Sequence, residues 1–171
     1  MSDDLSGYYE VAVGERAVYL RVHGLGSMNN CLCVRDFLED MVEDHRGFVV
    51  VDLEDCTGMD STFMGVLAGI ATYEVDGRPV GVAVVNGSPQ LVKLLRGVGL
   101  TELVYVDPQP FDPPPLEFHR LEEQPSEEDR LKLIRAAHEH LIEISEENEK
   151  LFGPLVKTIE REMRDRGILR E

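Results

Sequence analysis

Gly58-Met59-Asp60-Ser61-Thr62-Phe63-Met64-Gly65-Val66-Leu67 is the stretch on which the fold turns. It follows the apolar run Val49-Val50-Val51-Asp52-Leu53, which reads as a buried strand. It opens a series at helical spacing: Met64, Leu67, Ala68, Ala71. Asp60-Ser61 therefore marks a junction where a strand has ended and a helix begins. Asp and Ser suit that position because their side-chain oxygens accept hydrogen bonds from the unpaired N–H groups of a first helical turn. The same N–H groups and the helix dipole favour negative charge. A hydroxyl displayed there can cap the helix, accept a phosphate or meet a partner.

Upstream, Tyr8 to Val13 and Ala17 to Val22 read as a strand hairpin around Gly14-Glu15. Gly24-Leu25-Gly26-Ser27 is a loop, and a helix over 30–44 carries the stripe Val34, Phe37, Leu38, Met41, Val42. The strand 48–53 then leads into the junction. Downstream, Asp76-Gly77-Arg78-Pro79 is a turn and Val80 to Val85 a second buried strand. Ser88-Pro89 starts a short helix that stops at Gly97 or Gly99, and Leu103 to Val106 is a last strand. Strand, helix, strand, helix, strand in succession implies parallel strands with helical crossovers. The fold class is α/β, with a mixed sheet of about four to five strands backed by helices.

Asp107 to Pro115 holds five prolines in nine residues. Such a run reads as a stiff extended linker. The expected organisation is therefore a domain over 1–107, a linker over 108–125 and a helical extension over 126–171. Ser126 followed by Glu127, Glu128 and Asp129 is a strong helix start, with the helix running to about 150. Gly153-Pro154 is read as a break, and a second helix spans 154 to about 166. Ile134, Leu141, Asn148 and Leu155 share one heptad position, and Ala137, Ile144 and Leu151 the complementary one. This pattern suits either an amphipathic helix packed on its own core or a homodimer contact with Asn148 at the seam.

The formal charge is −16, from 17 basic and 33 acidic residues. That balance disfavours nucleic acid and anionic lipid as partners. No apolar stretch reaches the length of a membrane helix. The acidic start Met1-Ser2-Asp3-Asp4 is unlike a secretory signal, so a cytoplasmic protein is expected. Cys31, Cys33 and Cys56 do not form a disulfide framework or a metal clip.

Catalytic readings are weak. Asp52 and Asp55 could bind a cation, but the later strand end at Val85-Asn86-Gly87 brings no Lys for acyl-phosphate chemistry. His138 and His140 stand two apart on a helix, the wrong spacing for shared ligation. No G-x-S-x-G surrounds Ser61, and no phosphate loop is present. On these grounds Ser61 has no base to work with, and no cofactor or metal is expected.

Two segments resemble the STAS domain of bacterial anti-sigma factor antagonists. One is Asp52-Leu53 with Met59 to Leu67, similar to that family's Asp-Ser-Ser/Thr-Gly-Leu-Gly after a strand. The other is Gly81 to Pro89 with Leu94-Leu95 and Val98 to Val104, similar to its strand, Asn-x-Ser/Pro turn and short helix. The likeness covers about residues 8–107. It implies a protein-binding switch without enzymatic activity, in which Ser61 is phosphorylated by an anti-sigma factor Ser/Thr kinase and reset by a Ser/Thr phosphatase. Asp60, Ser61, Thr62 and Phe63 would then form the partner-binding surface. Phe63 departs from the pattern, since the family usually has Gly there. The alternative is a non-phosphorylated STAS module that binds a ligand or serves as a dimerising scaffold.

Overall fold

A computed structural model describes residues 6–45, 47–122 and 124–170. The acidic start Met1 to Asp4 lies outside the described residues. Alternation of side chains explains the sheet. In β2 (Val18–Gly26), Val18, Leu20 and Val22 are buried on one side; in β3 (Phe48–Asp52), Val49 and Val51 match them. The remaining strands are β1 (Tyr8–Val13), β4 (Cys56–Met59), β5 (Glu74–Val75), β6 (Arg78–Pro79), β7 (Gly81–Val85), β8 (Tyr105–Val106) and β9 (His119–Leu121). The main sheet runs in the order β8-β7-β3-β2-β1-β9, with β4 paired to the end of β2. β1 and β9 are antiparallel additions, while β2, β3, β7 and β8 run parallel. β5 and β6 form a separate hairpin. The five expected strands all form, and β4 and β9 enlarge the sheet.

Among the described residues, five α-helices accompany the strands: α1 (Leu32–His45), α2 (Ser61–Thr72), α3 (Pro89–Gly97), α4 (Glu127–Ile142) and α5 (Glu146–Asp165). One core joins Leu20, Val22, Val49, Val51, Val82 and Val84 of the sheet to Leu38 and Val42 of α1, Leu67 and Ile70 of α2, and Leu133 and Leu141 of α4. The C-terminal helices thus contribute to the same core as the sheet.

Two expectations about the tail need correction. Of residues 108–125, read as a linker, Phe111 and Phe118 pack against residues of the sheet and His119–Leu121 join it as β9. Ala17, Val50 and Val85 point to the face away from the main core and cluster there with Tyr19 and Phe111. Phe111 stacks on Tyr19 with ring centres 6.5 Å apart, and the Arg21 guanidinium lies 3.7 Å from the centre of the Phe118 ring. Asn86 holds the segment like a strand neighbour: its amide donates to the Phe111 carbonyl at 2.9 Å and its oxygen accepts from the Phe111 N–H at 2.9 Å. Proline removes backbone donors but does not prevent an extended chain from packing by its side chains, and β9 forms after the prolines end.

The second correction concerns the helix break. It falls at Glu143 to Ser145, not at Gly153-Pro154. Ser145 caps α5 by accepting from the Asn148 N–H at 3.1 Å, with Glu146, Glu147 and Glu149 in the first turn. Pro154 sits inside α5. Asn148 is buried within its own chain, donating to the Val98 carbonyl at 2.8 Å and the Leu141 carbonyl at 2.7 Å. No helix of the described residues is long and apolar enough to cross a membrane.

Candidate functional site

Ser61 is the first residue of α2, directly after Asp60 and the end of β4. Asp60 is the cap. One of its carboxylate oxygens accepts from the Phe63 N–H at 2.9 Å and the other from the Met28 N–H at 2.9 Å. The helix start is thereby tied to the loop Ser27-Met28-Asn29-Asn30. Asn30 fixes that loop in turn: its amide donates to the carbonyls of Gly7 at 3.1 Å and Leu25 at 2.8 Å, and its oxygen accepts from Tyr9 and from the Ser27 N–H.

Thr62 and Phe63, expected on a partner surface, are buried. Phe63 is 0% exposed and stacks on Tyr9 with ring centres 5.9 Å apart. The ring fits because residue 26 is glycine: a Cβ there would come within 2.9 Å of the Phe63 ring. Thus the aromatic at this position fills the core and leaves the surface to Ser61 and the exposed Met28. Burial also raises the Tyr9 hydroxyl and the Cys31 thiol far above their ordinary pKa values; for Cys31 the Asp60 charge adds to the effect.

The expectation that Ser61 has no base nearby is overturned. His138, from α4, places its Nε2 2.8 Å from the Ser61 hydroxyl. Its Nδ1 lies 2.7 Å from the Ile134 carbonyl, which can only accept. Nδ1 therefore carries the proton, and in the neutral ring Nε2 accepts from the Ser61 O–H. The ring is 2% exposed and rests against Phe152 of α5, with ring centres 5.2 Å apart. The pair does not amount to a nucleophile and base. The His138 Nδ1 is held by a backbone carbonyl rather than a carboxylate, and the Asp60 oxygens are taken by the Phe63 and Met28 N–H groups.

Sequence spacing did not connect residue 138 to residue 61, but a signal was present. α2 has no charged residue from Ser61 to Thr72, and nine of its twelve residues are buried. A helix apolar all round must be covered on both sides. Here the second cover is α4. Gly65 and Gly69 allow the close crossing: a Cβ at Gly65 would meet the Ala137 carbonyl oxygen at 2.2 Å, and one at Gly69 the His140 ring at 2.8 Å.

A cavity of about 960 Å³ lies at the C-terminal ends of β3, β7 and β8, between Leu53, Val92, Val104 and the prolines at 108 and 110, with Arg96 and Tyr105 among its polar residues. It does not include Ser61. Among the described residues, no group of three or more His, Cys, Asp or Glu side chains could hold a metal ion.

The family model described as "Mlab, STAS domain" matches residues 10–105. No curated protein matches this chain. Among solved structures, the chain is similar to an anti-sigma factor antagonist from Mycobacterium paratuberculosis, at 18% identity and a TM-score of 0.50, over 61% of this chain and 87% of that one. It is also similar to the anti-sigma factor antagonist SpoIIAA in its unphosphorylated form, at 15% identity and a TM-score of 0.45, over 59% and 88%. The phosphorylated form of the Bacillus cell fate determinant SpoIIAA gives 18% identity and a TM-score of 0.43, over 60% and 92%. The matched stretch holds the β2-β3-β7 sheet, the capped α2 and the Ser88 turn, and on that match the chain belongs to the STAS domain family.

Proposed function

We propose that this STAS protein is a regulatory protein-binding switch of the anti-sigma factor antagonist kind, without enzymatic activity, controlled by phosphorylation at Ser61. The observation that carries the reading is the placement of Ser61: a hydroxyl at the first turn of a capped helix, partly open to solvent. Phosphorylation there adds roughly −1.5 to −2 charges and three acceptor oxygens. The helix dipole tolerates that charge. Beside Asp60, on an acidic protein, it opposes any partner fitted to a neutral hydroxyl. The partners are an anti-sigma factor Ser/Thr kinase and a Ser/Thr phosphatase, in the cytoplasm. Incubating the full chain with its kinase and ATP should add one phosphate that is absent from Ser61→Ala. Incorporation that survives this change would remove Ser61 from the switch.

A specific observation favours a second reading. The Ser61 hydroxyl already has a buried partner in His138. In that reading the hydroxyl is structural and the protein is a non-phosphorylated ligand-binding or dimerising scaffold. The exposed ridge of Leu151 and Leu155 on α5 is the part of the heptad pattern left for a second copy. Sedimentation equilibrium of the full chain and of Leu151→Glu distinguishes them: a mass halved by the substitution supports the scaffold, and a monomer in both cases removes it.

A further inference from the structure

We propose that His138 is the internal partner of a phosphate on Ser61: once Ser61 is phosphorylated, the His138 ring takes up a second proton and holds the phosphate by an ion pair, with α4 still in place. The inference rests on the reading of Ser61 as the phosphorylated residue and names the group that receives the new charge. In the unmodified chain the Ser61 O–H donates to Nε2 at 2.8 Å, and the Nδ1–H donates to the Ile134 carbonyl at 2.7 Å. Phosphorylation puts phosphorus in place of the hydroxyl hydrogen. The bridging Oγ then only accepts, and the phosphate brings three further acceptor oxygens. A neutral ring with its proton on Nδ1 faces that Oγ with a lone pair. Moving the proton to Nε2 leaves Nδ1 facing the Ile134 carbonyl in the same way. Only a ring protonated at both nitrogens donates to both neighbours. The second proton comes from water, and no other bond forms or breaks.

The surrounding frame does not yield instead. Ser61 is fixed as the first residue of α2 by the Asp60 cap. α4 lies in the core shared with the sheet, and Asn148 joins α5 to the Leu141 and Val98 carbonyls. Beside His138 the two helix backbones are already in contact, since a Cβ at Gly65 would come within 2.2 Å of the Ala137 carbonyl oxygen. Ser61 is partly open to solvent, so the outer phosphate oxygens extend outward while Oγ stays opposite Nε2. The ring meets Ser61 of α2, the Ile134 carbonyl of α4 and Phe152 of α5, and none of these three is charged in the unmodified chain. Asp60, next to Ser61 in the chain, carries the same sign of charge as the phosphate. Burial opposes a charge on the ring. A phosphate of roughly −1.5 to −2 charges at hydrogen-bond distance favours it more strongly. The modified site then carries one negative charge fewer than the phosphate alone would add, and the phosphate is held toward α4.

The test uses the full chain with phosphoserine incorporated at position 61 during synthesis, beside the serine chain, both with nitrogen-15 in their histidines. Long-range proton–nitrogen spectra at neutral pH report which ring nitrogens carry protons. Backbone-linked assignment identifies the His138 signals, so this arm needs no substitution. We expect one protonated and one bare nitrogen in the serine chain, and two protonated nitrogens in the phosphoserine chain. A bare Nε2 in the phosphoserine chain overturns the proposal. A second arm compares thermal melts of the serine and phosphoserine chains in the unmodified sequence and in His138→Gln. The glutamine amide can accept from Ser61 or donate to a phosphate, but it carries no charge. Phosphorylation should lower the melting temperature more in His138→Gln than in the unmodified sequence, by roughly 3 °C or more. Equal lowering overturns the ion pair. Phosphoserine enters during synthesis, so neither arm depends on a kinase, and a bare ring here is distinct from a chain that takes up no phosphate.

Discussion

Ser61 shows how one hydroxyl can have two uses. Its hydrogen bond satisfies the Nε2 of the buried His138 ring. Ser61→Ala should lower stability by about 1–3 kcal/mol, because it leaves that acceptor without a donor. Urea denaturation measures the loss, and no change in the midpoint would mean that water replaces the hydroxyl. Phe63 was legible as a departure from its family's glycine, but not as a core residue, since nothing in the neighbouring sequence points to Gly26 as its complement. Phe63→Ala should cost about 3–5 kcal/mol, the usual range for emptying a fully buried aromatic site. Cys31 and Tyr9 set the alkaline limit. Both have folded pKa values raised by burial from ordinary values of 9.0 and 10.0. Raised folded values mean that the native state keeps protons the unfolded chain releases, so their contribution is intact below about pH 9 and declines above it. Thermal melts between pH 7 and 11 should show a flat region followed by a fall. Native Cys31 should resist alkylation at pH 8.

At the scale of elements, the α4–α5 pair packs into the same core as α2. The starts of α2, α3 and α4 are readable from local chemistry: Asp60, Ser88 and Ser126 all cap where the sequence places them. The start of α5 was misread because Pro154 is a strong breaker in isolation, whereas Ser145 and three nearby glutamates make a better boundary. Pro154 stands on the exposed side of α5, while Asn148 and Phe152 hold the helix to α4 from the buried side. Asn148 looked like a register-setting residue of a dimer. In the structure it bridges α5 to α4 and to the turn after α3 within one chain. Asn148→Ala should therefore cost about 1–3 kcal/mol, because the buried Val98 carbonyl loses its side-chain donor while the Leu141 carbonyl keeps the Ile144 N–H. Analytical ultracentrifugation should show its mass unchanged. A change in mass would restore the seam between copies.

For the whole molecule, the chain wraps a sheet on both faces. Helices cover one side; the proline-rich segment covers the other, held by Asn86. That residue has a left-handed backbone, at φ of 56°, which asparagine accepts more readily than alanine does. Its amide also donates to the buried Asp52 carboxylate at 3.0 Å. Asn86→Ala removes these bonds at once and should destabilise the protein by about 2–4 kcal/mol, with hydrogen exchange around Phe111 rising most. Equal exchange there in both proteins would show that the segment is held by its side chains alone. The prolines at 108–115 keep the chain out of helix and strand there, but composition carries no information about which surface such a chain lies on.

What the sequence by itself determined is the set of locally encoded features: alternating strands, capped helix starts, the order that makes the sheet parallel, and the motif around Asp60-Ser61. These rest on interactions between residues a few positions apart. Only the tertiary structure decided that Phe63 is core, that the tail covers both α2 and the open sheet face, and that His138 meets Ser61. Those contacts join residues far apart along the chain, and they depend on close fit at Gly26, Gly65 and Gly69. A glycine in the sequence is consistent with a turn, a bulge or a close approach, and only the partner brought against it in space shows which one it serves.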